Sequence, residues 1–338
     1  MAIEAYADGV PASARDVLVE LYRQAAGRVQ DAVLHPTGRT FRARRFTRAR
    51  AAELIAQIDR VQAELKARTI AWVSDNAEKA YAAGQVSAVR QLEAAGLRRA
   101  DLPVTGSLSQ VDRRTVAVIA ADMAIDLEAA AGRQAASAQR FLRAAGQRIV
   151  PDSALSEVIA AGAITGDVRG TVRQMRGLLN LREIEDYRKA GQQLIEVGRA
   201  TMSVRAYAEM LVTTRTREAS VQGRHERLVA NGRDLVSIVG RVSQNFCTEY
   251  LGRVFSITGA SDRYPALAAL PAGGPPFHPN CSKSTRAYIE EFASDEQRRQ
   301  AVLPDRAMLT TDRNAAQRRF GAKGGAAVAA RRWGRRVA

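Results

Sequence analysis

Residues 51–72, AAELIAQIDRVQAELKARTIAW, place Leu54, Ile58, Val61, Leu65 and Trp72 at successive spacings of 4, 3, 4 and 7. An α-helix turns once every 3.6 residues, so this spacing lines one face with apolar side chains. The heptad-like rhythm predicts packing against other helices. The segment is expected to run on through Tyr81 and to stop before Gly84. A second stripe follows at Val116, Ile119, Met123 and Leu127, within a helix expected from about Val111 to Ile149. Beyond Leu127 that stripe is mostly alanine, which lets helices approach closely. Pro151 ends the pattern, because proline cannot donate a helical hydrogen bond.

The rest of the N-terminal region fits the same picture. Val17, Leu18, Leu21 and Tyr22 form a shorter amphipathic stretch, closed by a turn around His35, Pro36 and Gly38. Arg39, Arg42, Arg44, Arg45, Arg48 and Arg50 follow with no acidic residue among them. Such a run is either a solvated helix start or a contact for DNA or an acidic partner. Residues 152–200 read as short helices broken by glycines, with Asp167 placed to cap one of them. Ser203 can cap a longer helix over 203–231, which Asn231-Gly232 stops.

The texture changes at Asp234. Leu235-Val236-Ser237-Ile238-Val239 and Arg253-Val254-Phe255-Ser256-Ile257 are β-branched and apolar, and they read as two short strands flanking Cys247. A proline- and glycine-rich loop, 270–276, leads into Phe277-His278-Pro279-Asn280-Cys281. From Arg313 to Ala338 the chain is basic, without an acidic residue after Arg313, and reads as a flexible cationic tail with Trp333 as an aromatic anchor. The expected fold class is mainly α, with long helices in the N-terminal two-thirds, a small α+β C-terminal module and a flexible basic tail. The corresponding regions are 1–150, 151–202, 203–292 and 293–338.

Composition agrees. Alanine is abundant and aromatic residues make up only 5% of the 338. Lys and Arg number 51 against 35 Asp and Glu, a formal charge of +16, and arginine predominates. This balance suits a nucleic acid or other acidic partner; GC-rich coding would produce the same excess. No stretch is apolar enough to span a bilayer, and no signal-peptide core begins the chain. Two cysteines cannot form a disulfide framework.

Cys247, His278 and Cys281 have the donor types of a zinc site, but a closed structural site needs four ligands. Glu249 and His225 are candidates for the fourth, neither at a recognisable spacing. A Cys247–Cys281 disulfide and two simply packed thiols are the other readings. A cysteine nucleophile has little support, since no oxyanion-hole pattern follows Cys281. The carboxylates of Glu183, Glu185 and Asp186 read as a solvated face with local ion pairs to Arg182, Arg188 and Lys189, and Glu290 and Glu291 read likewise. Phosphate-binding and dinucleotide motifs are absent. In the tail, Arg318, Arg319, Lys323, Arg331, Arg332, Trp333, Arg335 and Arg336 are the candidate DNA-contacting residues.

The segment from about Ser203 to Ile289 resembles the C-terminal part of tailed-phage minor capsid proteins, the group related to Mu F-type and SPP1-type head morphogenesis proteins. The carrying residues are Tyr207-Ala208-Glu209-Met210, Thr213-Thr214-Arg215-Thr216-Arg217-Glu218-Ala219, Asn231-Gly232, Cys247, Gly252, Val254 to Gly259, Tyr264-Pro265 and Phe277-His278-Pro279-Asn280-Cys281. The last string looks like the family's closing His-Pro-Xaa-Cys element, and the minor capsid protein 2 branch is the nearest in character. Two departures stand out: Tyr250 follows Cys247 where many relatives have a second cysteine, and Ser282-Lys283-Ser284 follows Cys281 where many have a further Cys or His. The resemblance implies a few-copy structural protein of the phage head, not an enzyme. It implies portal or major capsid protein as partner, and double-stranded DNA as a contact of the tail. It implies assembly in the host cytoplasm and residence in the virion, with no membrane and no small-molecule substrate. No cofactor is required, and a structural zinc is the one that the residue types would admit. The alternatives are a non-specific DNA-binding or packaging factor and, with less support, an enzyme built on the Cys/His loop.

Overall fold

The structure, a computed structural model, describes residues 6, 9–36, 46–103, 108–148, 154, 157–159, 161, 167–176, 178–198, 200–302 and 308–320. It is mainly helical with a small C-terminal sheet, as the apolar periodicities predict. The main elements are α1 (Ala12–Leu34), α2 (Arg48–Ala94), α3 (Gln110–Arg148), α4 (Val168–Met175), α5 (Leu181–Gly191), β1 (Leu194–Val197), β2 (Ala200–Ser203), α6 (Val204–Ala230), β3 (Leu235–Gly240), β4 (Val254–Ser256), β5 (Lys283–Ala287), α7 (Asp295–Ala301) and α8 (Arg313–Phe320). They form two compact units: one of residues 12–73 and 120–211, the other of residues 1–11, 74–119 and 212–338.

In the first unit, α1 and the early part of α2 pack along their apolar stripes. Leu54, Ile58, Val61 and Leu65 are all buried, and so are Leu18, Tyr22 and Val29 facing them from α1. Polar groups fix the register: the Tyr22 hydroxyl lies 3.1 Å from Thr69 Oγ1, and Trp72 Nε1 donates to the Ala14 carbonyl at 3.1 Å. From α3, buried Gln134 donates to the Ala26 carbonyl. The alanines behind Met123 and Leu127 are buried, and Gly146 passes close to Ala51. Small residues permit that approach because no side chain holds the backbones apart.

Helix α5 corrects one expectation. It starts with a capping box, Asn180 and Glu183 satisfying each other's backbone amides. Glu185 pairs with Arg188 one turn on, as expected. Asp186, however, is buried and accepts two bonds from Arg140 of α3, at 2.9 and 2.6 Å. Its position on the helix turns it inward, beside Tyr187, which packs on Phe141. Residues 194–200, expected among the short helices, belong instead to the β1–β2 hairpin of residues 194–203, with Gly198 at φ +61° in the turn. Asp167 caps α4 through the Gly170 amide, as its position predicts.

In the second unit, α2 does not stop at Gly84. It continues to Ala94 and ends in a turn where Gly96 has φ +96° and the Leu97 amide reaches back to the Leu92 carbonyl. Gly84 serves packing instead: a Cβ there would lie 1.9 Å from the Ser220 carbonyl of α6. Helix α6 begins in the first unit, where Ser203 caps it through the Ala206 amide, and Gly232 at φ +69° ends it in the second. Strands β3 and β4 fall where the β-branched runs predict. A third strand, β5, completes an antiparallel sheet of order β4-β3-β5. Ile238 lies opposite Thr285, and Val236 opposite Phe255. The sheet covers a core of Leu228, Val236, Ile238, Phe246, Tyr250, Phe255, Phe277 and Ile289. The run from Arg313, read as free tail, begins as α8, with Ala316 buried and Phe320 packed against this core.

Candidate metal centre

The centre starts from a turn. In His278-Pro279-Asn280-Cys281 the Cys281 amide donates to the His278 carbonyl at 3.0 Å. Proline suits the second position of such a turn, and Asn280, at φ 58°, takes the left-handed conformation that asparagine tolerates better than most residues. The turn therefore sets His278 and Cys281 side by side. It is docked on α6 from two points one helical turn apart. Thr214 Oγ1 accepts the Asn280 amide at 3.2 Å, and the Arg217 guanidinium donates to the Cys281 carbonyl.

Cys247 comes from a 3-10 turn, Phe246–Tyr250, that follows β3. That turn is anchored by apolar neighbours: Tyr250 stacks on Phe277 with ring centroids 5.1 Å apart, and Phe246 meets Phe277 edge-on. The result brings Cys247 Sγ to 3.3 Å from His278 Nε2. The ligand atoms of Cys247, His278 and Cys281 all lie within 4.8 Å of one another, so the three can hold a metal ion. Both cysteines are 1% exposed, whereas His278 is half-buried.

The protonation pattern suits coordination. His278 Nδ1 is 2.9 Å from the Pro279 carbonyl, which can only accept. Nδ1 therefore carries a proton, and Nε2 is the nitrogen that faces the sulfurs, the orientation that a carbonyl bonded to the far nitrogen imposes on ligating histidines. The Cys247 thiol donates to Cys281 and lowers it, and His278 lowers it further. The same bond, together with burial, pushes Cys247 up. His278 is raised by its bond to Cys281. These bonds favour the thiolate form at Cys281, the form in which cysteine binds a metal.

Of the two fourth-ligand candidates, neither joins the group. His225 points from α6 to Thr285 Oγ1 at 2.9 Å, fully inside the protein, and burial lowers it to about 3. Glu249 lies in the same 3-10 turn as Cys247 but outside the cluster of donors. Two residues beside the centre escaped the sequence reading. Lys283 is completely buried; its ammonium donates to the Arg241 carbonyl and to Ser243 Oγ. Ser243 Oγ in turn lies 3.7 Å from Cys247 Sγ. The only sequence signal for Lys283 is its position two residues after Cys281 at the start of a β-strand, which says nothing about depth.

Of the tail residues, Arg318 and Arg319 sit on α8, where Arg318 pairs with Asp312 at 3.6 Å. Lys323, Arg331, Arg332, Trp333, Arg335 and Arg336 lie outside the described residues, as do Arg39, Arg42, Arg44 and Arg45. Among the described residues no helix is long and apolar enough to cross a membrane. Comparison with protein-family models, with curated proteins and with solved structures returns no match.

Proposed function

We propose that this chain is a structural minor head protein of a tailed phage or prophage, with a zinc ion clasped by Cys247, His278 and Cys281. The observation that supports this reading is the convergence of the residues that carry the resemblance. Thr214 and Arg217 grip the His-Pro-Asn-Cys turn, Cys247 closes on it, and Val254 to Ser256 pair with the strand that follows Asn231-Gly232. Residues scattered over some eighty positions act as one small module. Zinc is favoured because it prefers thiolate and imidazole donors in tetrahedral array. The ligand atoms of such an ion stand about 3.5–3.8 Å apart, close to the separation of Cys247 Sγ and His278 Nε2.

In this reading the module and the long helices engage portal or major capsid protein during assembly in the host cytoplasm, and the protein stays in the virion. The residues beyond Phe320 contact packaged DNA through arginine. A nucleophilic role for Cys281 has less support, because both sulfurs are sealed from solvent. The test is a pull-down of tagged full-length protein from cells expressing its neighbouring genes, with nuclease present. Recovery of portal or major capsid protein is the expected result. Recovery of DNA alone, lost on nuclease treatment, would replace this reading with a general DNA-binding factor.

A further inference from the structure

The alternation that buries Val236, Ile238 and Thr285 turns the other face of the sheet outward. Ser237 of β3 and Arg286 of β5 are cross-strand partners on that outer face. The last turns of α2 and residues 292–300 wall it, leaving a groove of about 900 Å³ that lies wholly within the second unit. Arg90, Arg286 and Phe292 line it and are exposed to solvent.

The lining is one-sided in charge. Arg90 and Arg286 belong to it, and no carboxylate does among the described residues. The amide oxygens of Gln91 and Gln297, also in the lining, are each taken by a backbone N–H, of Ala287 and Ser294. Towards a ligand these two side chains can therefore only donate. The carboxylates nearest in sequence are engaged elsewhere: Glu290 by Arg263, Glu291 by Arg233 and Glu296 by Arg299.

The charge behind the groove has the same sign. Arg253 follows Gly252, a lining residue, and is only 4% exposed. It donates to the carbonyls of Gln300, again in the lining, and Val302. Its Nε has no partner, and no carboxylate pairs with it among the described residues. A guanidinium keeps its charge throughout the pH range of a folded protein, so this buried cation favours an anion in the groove. Phe292 chooses among anions. Its ring is 62% exposed, and an aromatic face beside cations is where a nucleobase stacks while its phosphate is held. An acidic peptide matches the charge but leaves the ring unused.

We infer that this groove binds a nucleotide, the phosphate held by Arg286 and Arg90 and the base stacked on Phe292. The ligand is a free nucleoside phosphate or one unit of a single strand, which share this chemistry. The inference is independent of the metal centre and of the head-protein reading.

The experiment uses the full-length protein and an oligothymidylate carrying 5-iododeoxyuridine, with affinity read by calorimetry and ultraviolet crosslinks mapped by mass spectrometry. Crosslinks to the peptide that holds Phe292 are expected. Phe292→Ala should weaken the oligonucleotide about tenfold and leave inorganic polyphosphate unchanged. Arg286→Gln should weaken both probes, the oligonucleotide about tenfold. Both side chains are exposed, so both variants keep the fold. AMP binding that both substitutions weaken would assign the groove to free nucleotides; crosslinking without AMP binding would assign it to a strand. Crosslinks confined to residues 321–338, or parent affinity in both variants, would overturn the inference. Polyglutamate competing as well as the oligonucleotide would replace the nucleotide by an acidic peptide.

Discussion

Gly223 of α6 lies against the backbone of Tyr81 in α2, so that a Cβ on Gly223 would come within 2.2 Å of the Tyr81 carbonyl oxygen. Gly84 and Ser220 make the reciprocal contact one turn away. The obstacle in each case is backbone, which cannot rotate aside. Gly223→Ala should therefore force the helices apart and destabilise the protein by about 3 kcal/mol or more. Gly132→Ala, in a helix with open space at that position, should be neutral or stabilising. Thermal melting of the two variants checks the contrast.

His225 predicts the acid response. Burial lowers its folded value to about 3, whereas the unfolded chain protonates it near 6.5. The unfolded state therefore binds the extra proton first. The stability that this neutral histidine represents is present above pH 6.5 and is lost as pH falls through the window towards 3. The loss between pH 7 and 5 should be about 2 kcal/mol. His225→Gln keeps a partner for Thr285 and should flatten the slope. Urea unfolding at several pH values measures it, and an unchanged slope in the variant would assign the effect elsewhere.

For the metal centre, purified protein should hold about one zinc per chain. Chelation should lower its melting temperature, and Cys281→Ser should melt low with or without chelator. A stability loss of about 3 kcal/mol is expected, since a site lost on unfolding contributes its binding energy to the fold. Equal melting of parent and variant under all conditions would reject the centre.

Asp186 and Arg140 form a two-bond pair with the carboxylate buried and the guanidinium partly exposed. Arg140→Ala strands a buried charge and should cost about 2–3 kcal/mol. Changing both residues, Arg140→Met with Asp186→Leu, should recover most of that loss. Chemical denaturation of the single and double variants reads the coupling.

Deletion of residues 321–338 leaves α8 and its buried Ala316 intact. It should not change melting, but it should weaken DNA binding and flatten its dependence on salt, because fewer counterions are released. An unchanged salt slope would free the tail from any DNA role.

How much of this was legible beforehand depends on the range of the interaction. The stripe from Leu54 to Leu65, the Asp167 and Ser203 caps, the Asn231-Gly232 stop and the two β-branched runs are local signals, and each was read correctly from the chain. Cys247, His278 and Cys281 were legible as donor types, and the His-Pro-Asn-Cys turn explains why two of them must be neighbours. Gly84 was misread as a stop because a packing glycine and a terminating glycine look alike until the partner helix is known. Asp186 was misread because one helix face cannot reveal that an arginine 46 residues earlier waits beside it.

What the sequence by itself determined was therefore the helical class, several helix caps and stops and two of the three strands of the C-terminal sheet, since these follow from backbone preference and apolar period over a few residues. Only the tertiary structure decided that Cys247 meets His278, that α2 runs past Gly84, and that Lys283 is buried beside the thiols. Those outcomes are set by which surfaces exclude water when distant segments pack, and no local pattern carries that information.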